Sequence, residues 1–122
     1  MRILIAEDEP NIVLSLEFLL RHSRYEVSVA SDGEQALRLM ESFAPHLVLL
    51  DVMMPVRDGF EVCRIIRGNP AWRTVKIVML TAKGRDSEFR RGLELGADAY
   101  VTKPFSTQRL LEQVRALLAE VQ

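Results

Sequence analysis

Short apolar runs rich in β-branched residues recur at positions 3–6, 27–30, 47–50, 75–80 and 99–102, and each reads as a short buried strand. Between them the apolar period lengthens. Ile12, Leu16, Leu19 and Leu20 fall at helical spacing, as do Ala36, Leu37 and Met40, then Val62, Cys63 and Ile66, then Phe89 and Leu93. A last helix carries Leu110, Val114, Leu117, Leu118 and Val121.

Start and stop signals agree with this division. Pro10 suits a first helical position, with Glu9 placed to cap it, and Ser31 followed by Glu34 reads as a capping box. Gly96 follows the fourth helix and Ser106 precedes the fifth. Five strand–helix pairs therefore alternate, joined by connections too long for hairpins, which demands right-handed crossovers and a parallel sheet. The predicted fold is a doubly wound α/β sandwich of five strands and five helices, occupying residues 1–122 as one domain.

Composition narrows the function. A chain of 122 residues, 48% hydrophobic and 27% charged, suits one core. Sixteen basic against seventeen acidic residues leave a net charge of -1, so no overall positive field would hold it on nucleic acid or anionic lipid. The single cysteine, Cys63, has no partner for a disulfide and sits among Val62, Ile65 and Ile66, which reads as a core thiol in a reducing compartment. No apolar run approaches the roughly 18 residues of a membrane span, and Glu7, Asp8 and Glu9 interrupt the first one too early for a signal peptide. The expected location is cytoplasmic.

In an open parallel sheet, ligands bind outside the carboxyl ends of the strands. The residues after the apolar runs there are Glu7 and Asp8, Asp51, Thr81 and Lys103. Each has an ordinary reading alone: an acid capping a helix, a turn aspartate, a turn-capping threonine, a surface lysine. Together they read differently. Converging carboxylates repel unless a hard cation sits among them, and Mg²⁺ suits one or two carboxylates, a backbone carbonyl and phosphate oxygens. Thr81 and Lys103 supply donors for phosphoryl oxygens, which makes Asp51 the candidate nucleophile.

The motifs Ile-Ala-Glu-Asp-Glu at 5–9, Asp-Val-Met-Met-Pro at 51–55, Asp58-Gly59, Leu80-Thr81-Ala82, Gly96-Ala97-Asp98 and Tyr-Val-Thr-Lys-Pro-Phe at 100–105 lie in one order. With them the sequence resembles the receiver domain of two-component response regulators, over residues 3 to about 118. The resemblance implies a flavodoxin-like sheet of strand order 2-1-3-4-5. It implies transfer of a phosphoryl group from a sensor histidine kinase, or a phosphotransfer protein, onto Asp51, with Mg²⁺ held by Glu7, Asp8, Asp51 and the Met53 carbonyl. Lys103 would pair with Asp51, and Pro104 would follow a cis peptide that aims Lys103 inward.

By the same resemblance Thr81 would shift toward the phosphate and Tyr100 would rotate into the space, repacking the face of the fourth helix, fifth strand and fifth helix. That face would meet an effector domain, a partner protein or a second copy, with no direct contact to nucleic acid or membrane. The domain would not be an enzyme beyond its own phosphorylation and slow dephosphorylation. The ordinary reading of Tyr100, a half-buried aromatic on an edge strand, is compatible with this. Gly59 would open the third helix through an unusual backbone angle, and Pro55 would shape the loop carrying Met53.

Some positions depart from the pattern. Met53 and Lys83 stand where the family varies residues flanking the attacking water, and neither should position it, so a long-lived phosphoryl group is expected. Ala99 replaces a second acid common in transcription-factor receivers, and the chain ends Ala119-Glu120-Val121-Gln122 without basic residues, which argues against their mode of dimerisation. Residues 57–91 hold nine basic and four acidic side chains. Arg85, Arg90 and Arg91 read either as a docking face for an acidic partner or as a solvated helix surface, and Trp72 beside Pro70 is similarly open.

Three other functions share parts of this pattern. A haloacid-dehalogenase-like phosphatase needs a second Asp at position 53, where this chain has Met53. A flavodoxin-like cofactor binder needs a Ser, Thr or Gly-rich loop where this chain has acids that would repel a flavin phosphate. A phosphate-independent interaction module is expected to have lost an acid, the aspartate or the lysine, and all are present.

Overall fold

The computed structural model describes residues 1–82 and 86–121, with backbone only for 86–89. The elements run β1 (Arg2–Ala6), α1 (Pro10–His22), β2 (Glu26–Ala30), α2 (Gly33–Ser42), β3 (Leu47–Asp51) and α3 (Gly59–Gly68). A 3₁₀ turn (Pro70–Trp72) leads into β4 (Lys76–Ala82), α4 (Asp86–Glu94), β5 (Ala99–Lys103) and α5 (Thr107–Leu118). All strands pair in parallel in the order β2-β1-β3-β4-β5. This is the doubly wound sheet that the alternation predicts and the strand order that the resemblance implies.

Side-chain alternation along the strands builds two apolar layers. Ile3, Ile5, Leu47, Leu49, Val78 and Leu80 point to the side covered by α1 and α5, where Leu16, Leu20, Leu110, Val114 and Leu118 close the core. Leu4, Ala6, Val48, Leu50, Ile77 and Met79 point to the opposite side, covered by α2, α3 and α4. β3 is buried along its whole length. Cys63 lies in the second layer with its thiol pushed up to about 11 by burial, a core thiol as read from its neighbours. Trp72 packs half-buried against the same layer.

Local details correct several sequence expectations. Glu9 caps α1, its carboxylate accepting from the Ile12 N–H at 2.9 Å, and Pro10 follows it as read. The cap of α2 is Asp32, not Ser31: its carboxylate accepts from the Gln35 N–H at 2.8 Å, a stronger interaction than a neutral hydroxyl offers. Ser31 instead donates its N–H to the Gln35 side chain at 2.8 Å.

β4 begins one residue later than the apolar run and extends to Ala82, while β3 and β5 each run one residue further, to Asp51 and Lys103. The ladder pairs Asp51 with Leu80 and Ala82 with Lys103, so the polar residues end the strands rather than follow them. On α4, Leu93 is exposed and Leu95 packs on the core in its place, because Gly96, at φ +98°, turns the chain back just after it. The side chain of Phe89 lies outside the described residues. Arg67 ties the end of α3 to the far strands, donating to the carbonyls of Val75 and Gly96 at 2.8 Å and to the Asp98 carboxylate at 2.6 Å.

Candidate functional site

β1 and β3 are adjacent at the point where the chain order of the sheet reverses, and both end in acids there. Glu7 prolongs β1, its N–H donating to the Ala30 carbonyl at 3.0 Å. That bond turns the Glu7 side chain beneath the sheet edge, 1% exposed, while Asp8 faces solvent. The buried carboxylate is held by the backbone: its Oε2 accepts from the N–H groups of Asp8 at 3.0 Å and Glu9 at 3.2 Å. Asp51, 4% exposed at the end of β3, accepts from the Met53 N–H at 3.2 Å. The carboxylate oxygens of Glu7, Asp8 and Asp51 come within 4.8 Å of one another.

Lys103 closes the group from the end of β5. Its Nζ lies 2.7 Å from Glu7 Oε1 and 3.2 Å from Asp51 Oδ1, one cation shared between two buried carboxyl groups. The Lys103–Pro104 peptide is cis, as the resemblance implies. Thr81 is buried in β4, level with Thr102 of β5. Tyr100 points to the other side of β5, its ring packed with the layer under α3 and α4. Lys83 and Arg85 lie outside the described residues. Arg90 and Arg91 are exposed, and the Arg91 guanidinium sits 4.4 Å above the Phe60 ring.

Electrostatics separate the two buried acids. Burial first, then the hydrogen bond and negative charge of Glu7, push the Asp51 carboxyl up to about 7. Burial acts on Glu7 in the same direction, but hydrogen bonds from Asp51, Lys103 and the Glu9 N–H outweigh it and hold Glu7 below the usual carboxylate range. Burial of Lys103 is likewise outweighed by Glu7 and Asp51, which raise its ammonium above the ordinary lysine value. Near neutral pH the pair thus tends to share one proton in the absence of a further cation. Three oxygen donors beside an anion-rich pocket fit a small hard divalent ion, and Asp8 and Asp51 have lone pairs to give it.

One residue supports the site for a reason other than the expected one. Gly59, the first residue of α3, has no unusual backbone angle, contrary to expectation. It is required by proximity: a Cβ there would lie 2.2 Å from the Asp51 carbonyl oxygen and 2.9 Å from the Val52 Cα. The first turn of α3 therefore rests directly on the peptide that carries Asp51, with the Gly59 N–H donating to the Val52 carbonyl at 2.9 Å. Gly59→Ala is expected to cost about 1–3 kcal/mol and to weaken any metal bound at Asp51. Gly68→Ala, in the same helix with nothing within 4 Å, is the control and should be neutral or stabilising in chemical denaturation.

The model of the response regulator receiver domain family matches residues 3–115. The chain belongs to that family. It is 46% identical over 117 residues to the alkaline phosphatase synthesis transcriptional regulatory protein PhoP of Bacillus subtilis, covering 96% of this chain and 48% of PhoP. The receiver domain thus spans about half the length of that curated relative.

Among solved structures, the signal receiver domain of a signal transduction histidine kinase from Syntrophus aciditrophicus superposes with a TM-score of 0.92 at 35% identity, covering 99% of this chain and 92% of that one. The receiver domain of a sensor histidine kinase from Pseudomonas aeruginosa superposes with a TM-score of 0.89 at 32% identity, covering 98% of each chain. That structure is described with a magnesium ion coordinated in its active site cleft.

Receiver domains are signalling domains of two-component systems rather than classical enzymes. In this one the carboxylates of Glu7, Asp8 and Asp51 and the Lys103 ammonium meet in one cluster. Leu14 and Phe18, absent from the apolar face predicted for α1, are 69% and 73% exposed on its outer side, Phe18 stacking on His22. Their i, i+4 spacing, out of phase with Leu16 and Leu20, was the available signal. Among the described residues no helix is long and apolar enough to cross a membrane.

Proposed function

We propose that residues 1–122 form one receiver domain that accepts a phosphoryl group from a histidine kinase or phosphotransfer protein onto Asp51. The observation that carries the reading is the cluster of three carboxylates within 4.8 Å with Lys103 reaching two of them. An Asp51 oxygen attacks phosphorus as the bond to the donor imidazole nitrogen breaks, and the imidazole leaves with the electron pair. Lys103, freed from part of its pairing with Asp51, follows the phosphoryl oxygens, and the Thr81 hydroxyl donates to another.

Glu7, Asp8, Asp51 and the Met53 carbonyl would hold Mg²⁺. When bound, Mg²⁺ neutralises the carboxylates and the phosphate charge they face. Glu7, with both oxygens engaged by Lys103 and backbone, contributes chiefly a fixed negative charge. Thr81 and Tyr100 carry the change to the face of α4, β5 and α5, where an effector, a partner protein or a second copy reads it. The site is cytoplasmic in this reading, and the domain touches neither nucleic acid nor membrane.

The test is incubation with acetyl phosphate and Mg²⁺, followed by intact mass over time. One phosphoryl group per chain is expected, absent in Asp51→Asn and after chelation. Met53 presents an exposed thioether with no group to orient water, so the phosphoryl group should persist for minutes or longer. Loss within seconds overturns the lifetime. No gain at all, with Mg²⁺ binding shown by titration, moves the reading to a phosphate-independent interaction module.

A further inference from the structure

Tyr100 stands on β5, an edge strand, beside Met79 of β4, and its ring lies under α4 with the hydroxyl buried. What lets the ring lie there is Gly92. A Cβ at position 92 would sit 2.4 Å from Tyr100 Cε2, 3.1 Å from Cδ2 and 3.5 Å from Met79 Cγ. Carbon atoms do not approach to 2.4 Å, so even a methyl group excludes the ring from its present place. The obstacle is a side chain rather than backbone, and a tyrosine ring can leave by rotating about χ1. Tyr100 also lines, with Pro104, Phe105 and Arg109, a cleft beside β5, an edge strand of the sheet.

Gly92 is also out of place as a helix residue. It lies within α4 (Asp86–Glu94), where glycine is among the poorest helix formers. A residue that weakens its own helix while making room for one aromatic ring is explained by the ring.

We propose that Gly92 is the positioning residue of the Tyr100 switch: its missing side chain is the seat that admits the ring beneath α4. The inference rests on the reading of Tyr100 as the residue that reports phosphorylation at Asp51. With the seat open, the ring can exchange between the place under α4 and the edge of β5, and any event that biases the exchange moves α4 against β5. With the seat filled, the ring is confined to the edge and the face formed by α4, β5 and α5 is held in one arrangement.

The experiment compares the parent chain, Gly92→Ala, Tyr100→Ala and the double variant, by thermal unfolding and by NMR of the Tyr100 ring. Gly92→Ala should lower the melting temperature in the parent and raise it in the Tyr100→Ala background, where only the helix gain remains. Its Tyr100 ring resonances should move toward solvent-exposed values. An equal effect of Gly92→Ala in both backgrounds, or unmoved ring resonances, overturns the proposal. If Gly92→Ala alone does not fold, restoration by Tyr100→Ala supports the seat, and a double variant that stays unfolded overturns it.

Acetyl phosphate then separates the two readings. The mass gain at Asp51 should be equal in the parent and Gly92→Ala, while the Tyr100 resonances respond to it only in the parent. A parent chain that gains no phosphoryl group defeats the reading of Asp51 and leaves the unfolding cycle to decide the seat. A response of equal size in both chains defeats the seat.

Discussion

In metal-free buffer, Asp51→Asn is expected to be more stable than the parent chain at about pH 8 and no more stable at about pH 5. The Asp51 carboxyl is raised to about 7 in the folded state, by burial and then by Glu7, whereas an unfolded chain titrates it near the ordinary aspartate value. Between those two values the folded chain retains a proton that the unfolded chain has lost. Stability therefore falls as pH rises through this window, and the loss is complete above the folded value. A shift of this size corresponds to a few kcal/mol, on the order of 2–4.

The asparagine amide removes the titration and can still donate to Glu7, so its stability should be flat across the same window. Glu7 acts with the opposite sign. Its carboxyl is held below the usual range, so its contribution is present above the unfolded value and fades as pH falls through the lowered one. The metal-free parent should accordingly be most stable in mildly acid solution. Mg²⁺ should stabilise the parent at about pH 8 more than Asp51→Asn, by linkage to a bound state that loses one of its three carboxylates in the variant. Denaturant titrations at both pH values, with chelator and with Mg²⁺, read all of this. Parallel pH curves for the two chains would contradict the assignment of the raised carboxyl to Asp51.

Lys103→Met carries the second large effect. It keeps much of the side-chain length and removes the only cation within reach of the two buried acids among the described residues. Breaking a buried pair by deleting one partner costs about 3–5 kcal/mol, because the remaining charge stays desolvated. The loss should approach that range at about pH 8, where both acids carry charge, and shrink at about pH 5, where Asp51 is protonated. The same substitution is expected to slow phosphorylation by acetyl phosphate by roughly 100-fold or more, since a donor aimed at the phosphoryl oxygens is gone. Lys103→Arg should recover stability better than rate: the charge returns, but a planar fork replaces a compact ammonium. Denaturation midpoints and single-turnover mass kinetics check both. A Lys103→Met chain as stable as the parent at both pH values rules out the shared ion pair as a stabilising element.

The strands were legible because a parallel sheet covered on both sides leaves each one a nearly unbroken apolar run. The site was legible for a related reason, since a polar residue at the end of such a run cannot continue into the core. Glu7, Asp8, Asp51 and Lys103 announce themselves in this way. Which of the two neighbouring acids turns inward was not written there, because that depends on the Glu7 N–H bonding across to Ala30. Ser31 and Asp32 posed the same difficulty: adjacent residues can both cap, and the competition is settled by carboxylate against hydroxyl. Gly59 and Gly92 were legible as glycines, but the atoms that forbid a side chain at each belong to residues seven or eight positions away in sequence, and only the fold brings them close.

Trp72 gives these experiments an optical reporter with a built-in separation. It is the single tryptophan, and it precedes β4, whose opposite end carries Thr81. Five residue steps separate Lys76, where β4 begins, from Thr81 near its site end, roughly 16 Å at about 3.3 Å per residue. Its indole packs against the layer shared by α3 and β4, so its emission should follow the melting of the sheet as a whole. Metal binding and phosphorylation at the far end should leave that emission nearly unchanged. Unfolding curves recorded by fluorescence can thus be compared between metal-free, metal-bound and phosphorylated samples without a correction for quenching by the ligand.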